Sequence, residues 1–419
     1  MLSMRICGVI VFYALLASAQ TPVMPQSQIS IFPLREVKPD MAATAKTVFR
    51  GQQVEEFPLR ILGVLSHSGP GQDMILARLE STRLEQTGVM QGMSGSPVYI
   101  EGRLAGAIAF AFSFAKEPIA GIRPIEEMLA AGRPVTKARA RTEAPNGPIH
   151  LGSPAVLGTL RSPAIAEGSP RAVLTPISFG GFSEATLRQF GGAWGQLGFA
   201  AQQGGAGNRP ADPSSPLKAG DMISVQLLRG DLSAGADGTV TLVQGNQVFA
   251  FGHRFLGGGA VDFPFAKAEV VTPLPNLNTS FKISQALSSI GSILADADAA
   301  VVGEIGRVSR MAILKLRYKD ANVTQTYQVE MVRHALLSPL LLQMAIFSTL
   351  DHHFRSAGIG TVNLKATLGF GPSLPPLRVE GRYAGDANLA IGASLGAAIP
   401  LVQCMFDSRW CSGSKRTSR

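Results

Sequence analysis

The residues best suited to chemistry in this sequence surround a serine in a glycine-rich turn. Residues 91–99 read QGMSGSPVY, with Ser94 flanked by Gly92 and Gly95. Glycines let the backbone turn sharply and let a substrate carbonyl approach without meeting a Cβ. The same turn can direct the backbone N–H groups of Gly92 and Ser94 into one concavity, as an oxyanion requires. The motif is also typical of a plain structural turn, so a nucleophile at Ser94 requires a base elsewhere in the chain.

His253 is the strongest candidate for that base. It stands in VFAFGHRFLGGG, between an apolar strand and a run of glycines. A strand end would hold the imidazole rigidly beside a cleft, where it can activate a nucleophile. A buried structural histidine is the alternative interpretation. The other histidines lie in loop-like sequence, after a strand, or as an adjacent pair on a predicted helix: His67, His150, His334, His352 and His353.

A carboxylate that orients the imidazole would complete a catalytic triad. Asp73 precedes the predicted strand DMILARL, Glu80 follows that strand, and Asp262 follows the histidine loop. Each of these acids has a solvated surface position as its alternative, and the sequence leaves the choice among them open.

The elements that must position these residues are mostly strands. The chain of 419 residues contains 46 glycines and 27 prolines, a composition that favours many short strands and turns over long helices. Hairpin turns are predicted at Glu101-Gly102 and Gly245-Asn246. A short helix is predicted from Pro124 to Gly132, and the apolar stretch 339–350 predicts a buried helix too short to span a bilayer.

Proline-, glycine- and serine-rich stretches divide the chain into blocks. These stretches cover 133–148, 203–216 and 371–376. The predicted organisation is a signal peptide at 1–19, a serine-containing β half at 28–132, a linker and middle segment at 133–216, a histidine-containing β half at 217–330, and a β-rich C-terminal region at 331–419.

The N-terminus is typical of a secretory signal. It carries Arg5, an apolar run at 6–16 and the small residues Ala-Ser-Ala at 17–19. We therefore expect an exported protein, in the periplasm or outside the cell, with no transmembrane anchor after signal removal. An uncleaved anchor is the alternative. In an oxidising compartment Cys404 and Cys411 could close a small loop near the C-terminus.

Charge and composition argue against several classes of partner. The formal net charge is +9, but the basic residues are scattered and are not interleaved with aromatics as in a nucleic-acid groove. Two remaining cysteines offer too few ligands for a metal site. We expect no nucleic acid, no metal and no organic cofactor.

Two patches of the chain resemble the SpoIVB-type serine peptidases. Residues 87–129 are similar to the serine half of that family, including GMSGSP and the Gly-Arg-Leu-x-Gly-Ala hairpin that follows. Residues 235–253 are similar to its histidine half, and 54–65 to the strand pair before the serine half. Here Ser94 precedes His253, which is a permuted order of the two halves.

The resemblance implies a mainly β fold with a few short helices, a trypsin-like double β-barrel formed by two separated halves. It also implies an exported serine endopeptidase that cleaves proteins or peptides of the cell envelope. Ser94 would attack, His253 would transfer the proton, and Asp73 or Glu80 would orient His253. The family's aspartate lies shortly before the serine turn, where the nearest equivalent is Glu80, and its PDZ module is not evident.

Two alternatives to this function are a catalytically inactive envelope binding or scaffold protein that retains the barrel, and a protein that cleaves itself once. The oligomeric state is left open.

Overall fold

A computed structural model describes residues 29–112, 115–132, 170–173, 175–205, 210, 212, 215–277, 279–353, 359–369 and 376–386. The predicted signal peptide, the 133–148 stretch, His150 and the Cys404–Cys411 pair lie outside these residues. Strands dominate the described part of the chain, which confirms the mainly β class.

The first sheet contains the serine turn and closes on itself. Its strands are β1 (Ala42–Arg50), β2 (Gln53–Gly69), β3 (Gln72–Leu79), β4 (Pro97–Ile100), β5 (Arg103–Phe112), β6 (Ile119–Pro124) and β7 (Pro170–Ala172). They lie in the order β4-β1-β2-β3-β6-β5-β7, and β4 also pairs with β5. Six strands, β1 to β6, therefore form a closed ring, and β7 extends it from β5.

The second sheet contains the histidine and has the same closure. Its strands are β8 (Thr175–Gly180), β9 (Phe199–Gln203), β10 (Met222–Gly230), β11 (Ser233–Gln244), β12 (Gln247–Ala250), β13 (Gly259–Leu274), β14 (Phe281–Ala297), β15 (Ala300–Ile305), β16 (Met311–Lys319) and β17 (Thr324–Val332). The order is β16-β17-β10-β13-β14-β15-β12-β11-β8-β9, and β10 also pairs with β11. Six strands, β10 to β15, again form a closed ring.

The helices are short and few among the described residues. They are a 3-10 helix (Leu34–Glu36), α1 (Thr82–Thr87), α2 (Ile125–Ala131), α3 (Glu184–Gln196) and α4 (Leu337–His353). A separate hairpin joins β18 (Ile359–Leu368) to β19 (Leu377–Asp386). None of the described helices is long and apolar enough to cross a membrane.

Local sequence signals account for several of these boundaries. Glu101 and Gly102 both have positive φ, 50° and 72°, and join β4 to β5 as the predicted hairpin turn. The predicted turn at Gly245-Asn246 joins β11 to β12. Helix α2 begins after Pro124 and ends before Gly132 as predicted. The apolar stretch 339–350 lies within α4, a mostly buried helix.

The middle segment has more structure than its composition indicated. Helix α3 and strands β8 and β9 belong to it, and β8 pairs with β11 of the second sheet. Strand β7 pairs instead with β5 of the first sheet. Residues 133–216 thus contribute to both sheets.

The two rings pack against each other through a shared apolar cluster as well as having cores of their own. From the first ring and α2 the cluster contains Leu104, Ala107, Ile125 and Met128, and from the second ring Leu242, Phe249, Ala300 and Val302. Burial of this apolar surface stabilises the docking of the two sheets. The candidate site forms where the serine turn crosses the same interface.

Candidate active site

The serine turn of the first ring is hydrogen-bonded to strand β11 of the second. The Thr239 N–H donates to Ser94 O at 2.8 Å, and Thr239 Oγ1 donates to Gly92 O at 2.9 Å. Thr241 Oγ1 donates to Gly95 O at 2.7 Å. Thr239 and Thr241 are two residues apart, so their side chains lie on one face of β11. The two side chains and the Thr239 N–H together bind three carbonyls of the turn and fix its orientation.

The glycines of the turn are required by both conformation and space. Gly92 and Gly95 have φ of 88° and 93°, in the left-handed region that favours glycine. A Cβ at Gly95 would lie 2.0 Å from Thr239 O and 2.5 Å from Phe251 N. Gly95 therefore permits the close approach of the turn to the second ring.

The hydroxyl at the centre of the turn has no hydrogen-bond partner. Ser94 is fully buried, and its Oγ is among the few buried side-chain atoms of the described residues that are unpaired. Ser96 Oγ shares this property. Within the described turns and loops, the N–H groups of Gly92 and Ser94 donate no hydrogen bond to the backbone. An unpaired buried hydroxyl is uncommon in native proteins and is consistent with a functional role.

The loop that carries His253 reaches the same threonine as the serine turn. Phe251 N donates to Thr239 O at 3.3 Å, and the backbone turns at Phe251 and Gly252 with φ of 68° and 69°. From the first ring, Arg123 Nε donates to Gly252 O at 3.3 Å. The serine turn and the histidine loop thus both hydrogen-bond to the backbone of one residue, Thr239.

The imidazole of His253 is buried and held in one orientation. Its Nδ1 lies 2.7 Å from Arg254 O, while its Nε2 is buried and has no hydrogen-bond partner among the described residues. Because a carbonyl only accepts, Nδ1 must carry the proton and Nε2 the lone pair. Burial lowers the pKa of His253 to about 4; the hydrogen bond to Arg254 O opposes this shift and the nearby Arg123 charge adds to it. The ring is therefore neutral at pH 7 and presents a basic nitrogen.

Two of the predicted acids lie in other contacts. Asp73 Oδ1 accepts a hydrogen bond from His67 N at 2.8 Å, in the β2–β3 hairpin. Glu80 pairs with Arg60 at 2.9 Å on a partly exposed surface. Neither carboxylate contacts His253, whose Nδ1 is already occupied by a main-chain carbonyl.

Asp262 also serves a local contact. Its carboxylate accepts from Ser292 Oγ at 2.7 Å and from Arg310 N at 3.0 Å. It holds the segment before β16 against the β13–β14 hairpin. The structure does not bring Asp262 to His253.

The carboxylate that does support the histidine loop is Asp296, which is not among the acids predicted from the sequence. It is buried and accepts from the N–H groups of Phe255 and Leu256, both at 2.7 Å, and of Gly258 at 3.0 Å. Its charge acts to raise the pKa of His253, against the larger effect of burial. No local signal distinguishes it, because it ends β14, far along the chain from the loop that it holds.

A buried lysine supports the serine turn from the other side. Lys282 is fully buried, and its Nζ donates to Thr47 Oγ1 at 2.7 Å and to Gly92 O at 3.4 Å. Burial lowers the pKa of Lys282 to about 7, and the nearby Asp237 opposes the shift. The lysine therefore places a titratable cation behind the turn.

Comparison with known proteins supports the resemblance in the serine half. The family SpoIVB peptidase S55 matches residues 6–129, which include Ser94 and strands β1 to β6. The similarity predicted for the segment around Ser94 is thus confirmed, and it points to a peptidase. His253 lies outside the matched residues. No curated protein and no solved structure matches the chain significantly.

Proposed function

We propose that this protein is an exported serine endopeptidase of SpoIVB type, with Ser94 as nucleophile and His253 as general base. The observation that carries the proposal is the convergence on Thr239. Its N–H binds the carbonyl of Ser94, and its own carbonyl binds the loop that presents His253. The buried serine hydroxyl and the buried imidazole nitrogen, neither with a hydrogen-bond partner among the described residues, thus belong to segments of two different sheets that bind the backbone of the same residue.

The strand pairings favour the double β-barrel expected from the resemblance. Each sheet contains a closed ring of six antiparallel strands, and the serine and the histidine come from different rings. A site between two rings matches the trypsin-like arrangement that the resemblance implies. Triads occur in several chain orders, so the serine-first order is compatible with this chemistry.

The mechanism uses the atoms that lack partners. Ser94 Oγ attacks the scissile carbonyl carbon while His253 Nε2 takes the hydroxyl proton. The N–H groups of Gly92 and Ser94 stabilise the negative charge that develops on the carbonyl oxygen. The C–N bond then breaks as Nε2 returns the proton to the leaving amine. Water, deprotonated by His253, hydrolyses the acyl-enzyme and restores the Ser94 hydroxyl.

The carbonyl of Arg254 takes the orienting role predicted for Asp73, Glu80 or Asp262. It fixes the tautomer with Nε2 unprotonated, which is the form that a general base requires. Asp296 is a positioning residue, since it acts on His253 through the backbone of the following loop.

Export belongs to the same proposal and rests on the signal-like residues 1–19. The substrates would then be proteins or peptides of the cell envelope, in the periplasm or outside the cell.

Hydrolysis of a labelled casein or peptide library by purified protein tests the proposed mechanism. We expect Ser94→Ala and His253→Ala each to lower kcat/KM by at least about 10³-fold, since members of such a unit act together. The matched control is Ser96→Ala, which removes a second buried, unpaired hydroxyl from the same turn. Hydrolysis that persists in Ser94→Ala would contradict the proposal.

One observation favours a second candidate, a non-catalytic envelope binding or scaffold protein. Ser94 is fully buried, and its Oγ makes no hydrogen bond to His253 in this structure. A substrate can reach Ser94 only after a movement of the surrounding segments. This candidate predicts that the wild-type protein is folded but hydrolyses no peptide. Ser94→Ala would then leave the measured hydrolysis at the same background level.

A further inference from the structure

A cavity of about 470 Å³ opens in the second sheet near the serine turn. Its walls come mainly from β10, β11, β14 and β17. Its volume lies within the range of about 300–1,000 Å³ typical of ligand pockets. Serine hydroxyls line it: Ser178, Ser224, Ser233, Ser284, Ser288 and Ser289.

Asp237 is the buried carboxylate of this cavity. Ser284 Oγ donates to Asp237 Oδ2 at 2.6 Å, and Ser224 and Ser178 also hydrogen-bond to this carboxylate. A hydroxyl has one proton, so a serine that donates to Asp237 has only lone pairs left to offer. The carboxylate and these hydroxyls together make the wall rich in acceptors.

Gln226 adds an acceptor that nothing in the structure satisfies. The residue is 6% exposed and lines the cavity. Its Nε2 donates to Leu287 O at 3.4 Å, which leaves Oε1 buried and without a partner. A buried amide oxygen without a partner is unfavourable unless a water or a ligand supplies a donor.

The cations near these acceptors have partners of their own. Arg229, which lines the cavity, is paired with Glu330. Lys282 donates to Thr47 and Gly92 at the serine turn. A ligand with several N–H donors and a positive charge therefore complements the cavity better than an anionic or apolar one.

The cavity adjoins the serine turn through the two strands that hold the turn. Asp237 and Thr239 lie on one face of β11, about 7 Å apart at 3.3 Å per residue. Lys282 and Ser284 are related in the same way on β14. Thr239 and Lys282 bind the turn, while Asp237 and Ser284 line the cavity.

We propose that this cavity binds the lysine or arginine side chain of a peptide substrate. The inference rests on the proposed peptidase function and names its substrate class. An ammonium or guanidinium group supplies donors to Gln226 Oε1 and to the carboxylate region of Asp237. A norleucine side chain leaves these acceptors unpaired, and the negative charge of a glutamate side chain is repelled by them. The site therefore discriminates against both.

Binding measured on the Ser94→Ala protein tests this inference without catalysis. The probes are fluorescent peptides of one sequence, blocked at both ends, that carry lysine, arginine, norleucine or glutamate at a central position. We expect lysine and arginine peptides to bind at least about 10-fold more tightly than the other two. Equal binding of all four peptides would overturn the proposal.

Two further substitutions locate the preference. Gln226→Met keeps the side-chain length and removes the unpaired oxygen, and Asp237→Asn removes the charge but keeps the shape. Each is expected to reduce the preference at least about threefold, and circular dichroism and thermal unfolding verify that each variant is folded. If Asp237→Asn does not fold, Gln226→Met alone tests whether the cavity causes the preference for lysine and arginine peptides. A preference unchanged by Gln226→Met would contradict the proposed cavity.

The matched control is Asp320→Asn in the β16–β17 turn. It removes one negative charge from the same sheet, from a carboxylate that accepts several hydrogen bonds. The preference should survive this change. Because no hydrolysis is measured, equal binding of the four peptides, or a preference lost in Asp320→Asn, rejects the cavity proposal and leaves the peptidase proposal standing. Hydrolysis that persists in Ser94→Ala rejects the peptidase proposal, and the binding preference is still measurable by itself.

Discussion

His253 is buried and held by a main-chain carbonyl, and no carboxylate of the described residues hydrogen-bonds to its ring. The hydrogen bond from Nδ1 to Arg254 O determines which nitrogen is basic. Burial keeps the ring neutral and lowers its pKa to about 4. The arrangement provides the tautomer that a base needs, while Asp296 supports the loop from a distance.

The pH dependence of activity should reflect this environment. Protonation of His253 removes the base, and its lowered pKa delays protonation until the pH falls to about 4. We expect the acid limb of kcat/KM, which reports the free enzyme, to lie near pH 4, well below the value of about 6.5 for an exposed histidine. Activity at pH 5 should remain close to that at pH 7. An acid limb near pH 6.5 would show that His253 is solvated in the working enzyme or is not the base.

The serine turn is an element whose geometry depends on another element. Three of its carbonyls are bound by two threonines of β11, and Lys282 of β14 binds one of the same carbonyls. Gly95 lies directly against the backbone at Thr239 and Phe251. The turn therefore acquires its shape only when the two sheets are docked.

Substitution of Gly95 tests this dependence. Gly95→Ala places a Cβ against two backbone atoms and imposes a positive φ on alanine, so we expect a loss of about 3 kcal/mol or more in the free energy of unfolding. The matched control is Gly102→Ala. Gly102 also has a positive φ, 72°, but a Cβ there would have no atom within 4 Å, so this variant should lose only about 1 kcal/mol in the free energy of unfolding. Denaturant titration measures both. Equal stabilities of the two variants would mean that the turn is not closely packed.

At the scale of the whole molecule, shared apolar clusters, hydrogen bonds to the serine turn and a buried arginine connect the two rings. Arg123 of β6 donates to Gly252 O of the histidine loop and pairs with Glu127 at 2.7 Å. The first ring thus contacts the loop that carries the proposed base. The proposed nucleophile and the proposed base come from different rings, so the proposed activity depends on the docking of the rings.

The sequence predicted correctly those features that depend on residues only a few positions apart. The hairpin at Glu101-Gly102, the limits of α2 and the glycines around Ser94 follow from turn chemistry within a few residues. Asp296 and Lys282 could not be predicted, because their roles come from contacts with segments far along the chain.

The closure of the two rings could not be predicted from the sequence either. It depends on the pairing of β4 with β5 and of β10 with β11, in addition to the pairs that complete each sheet. The alternation of apolar and polar residues within a strand predicts which face of the strand is buried. It does not determine which strands pair or whether the sheet closes into a ring.

The most direct test of the account is covalent labelling with a fluorophosphonate, followed by peptide mapping. Such a probe reacts with a serine that is activated by a base. We predict one adduct on Ser94 of the wild-type protein, none on Ser96, and loss of labelling in both Ser94→Ala and His253→Ala. Absence of labelling in folded wild-type protein, or labelling that persists in His253→Ala, would contradict a nucleophile in one ring activated by a base in the other.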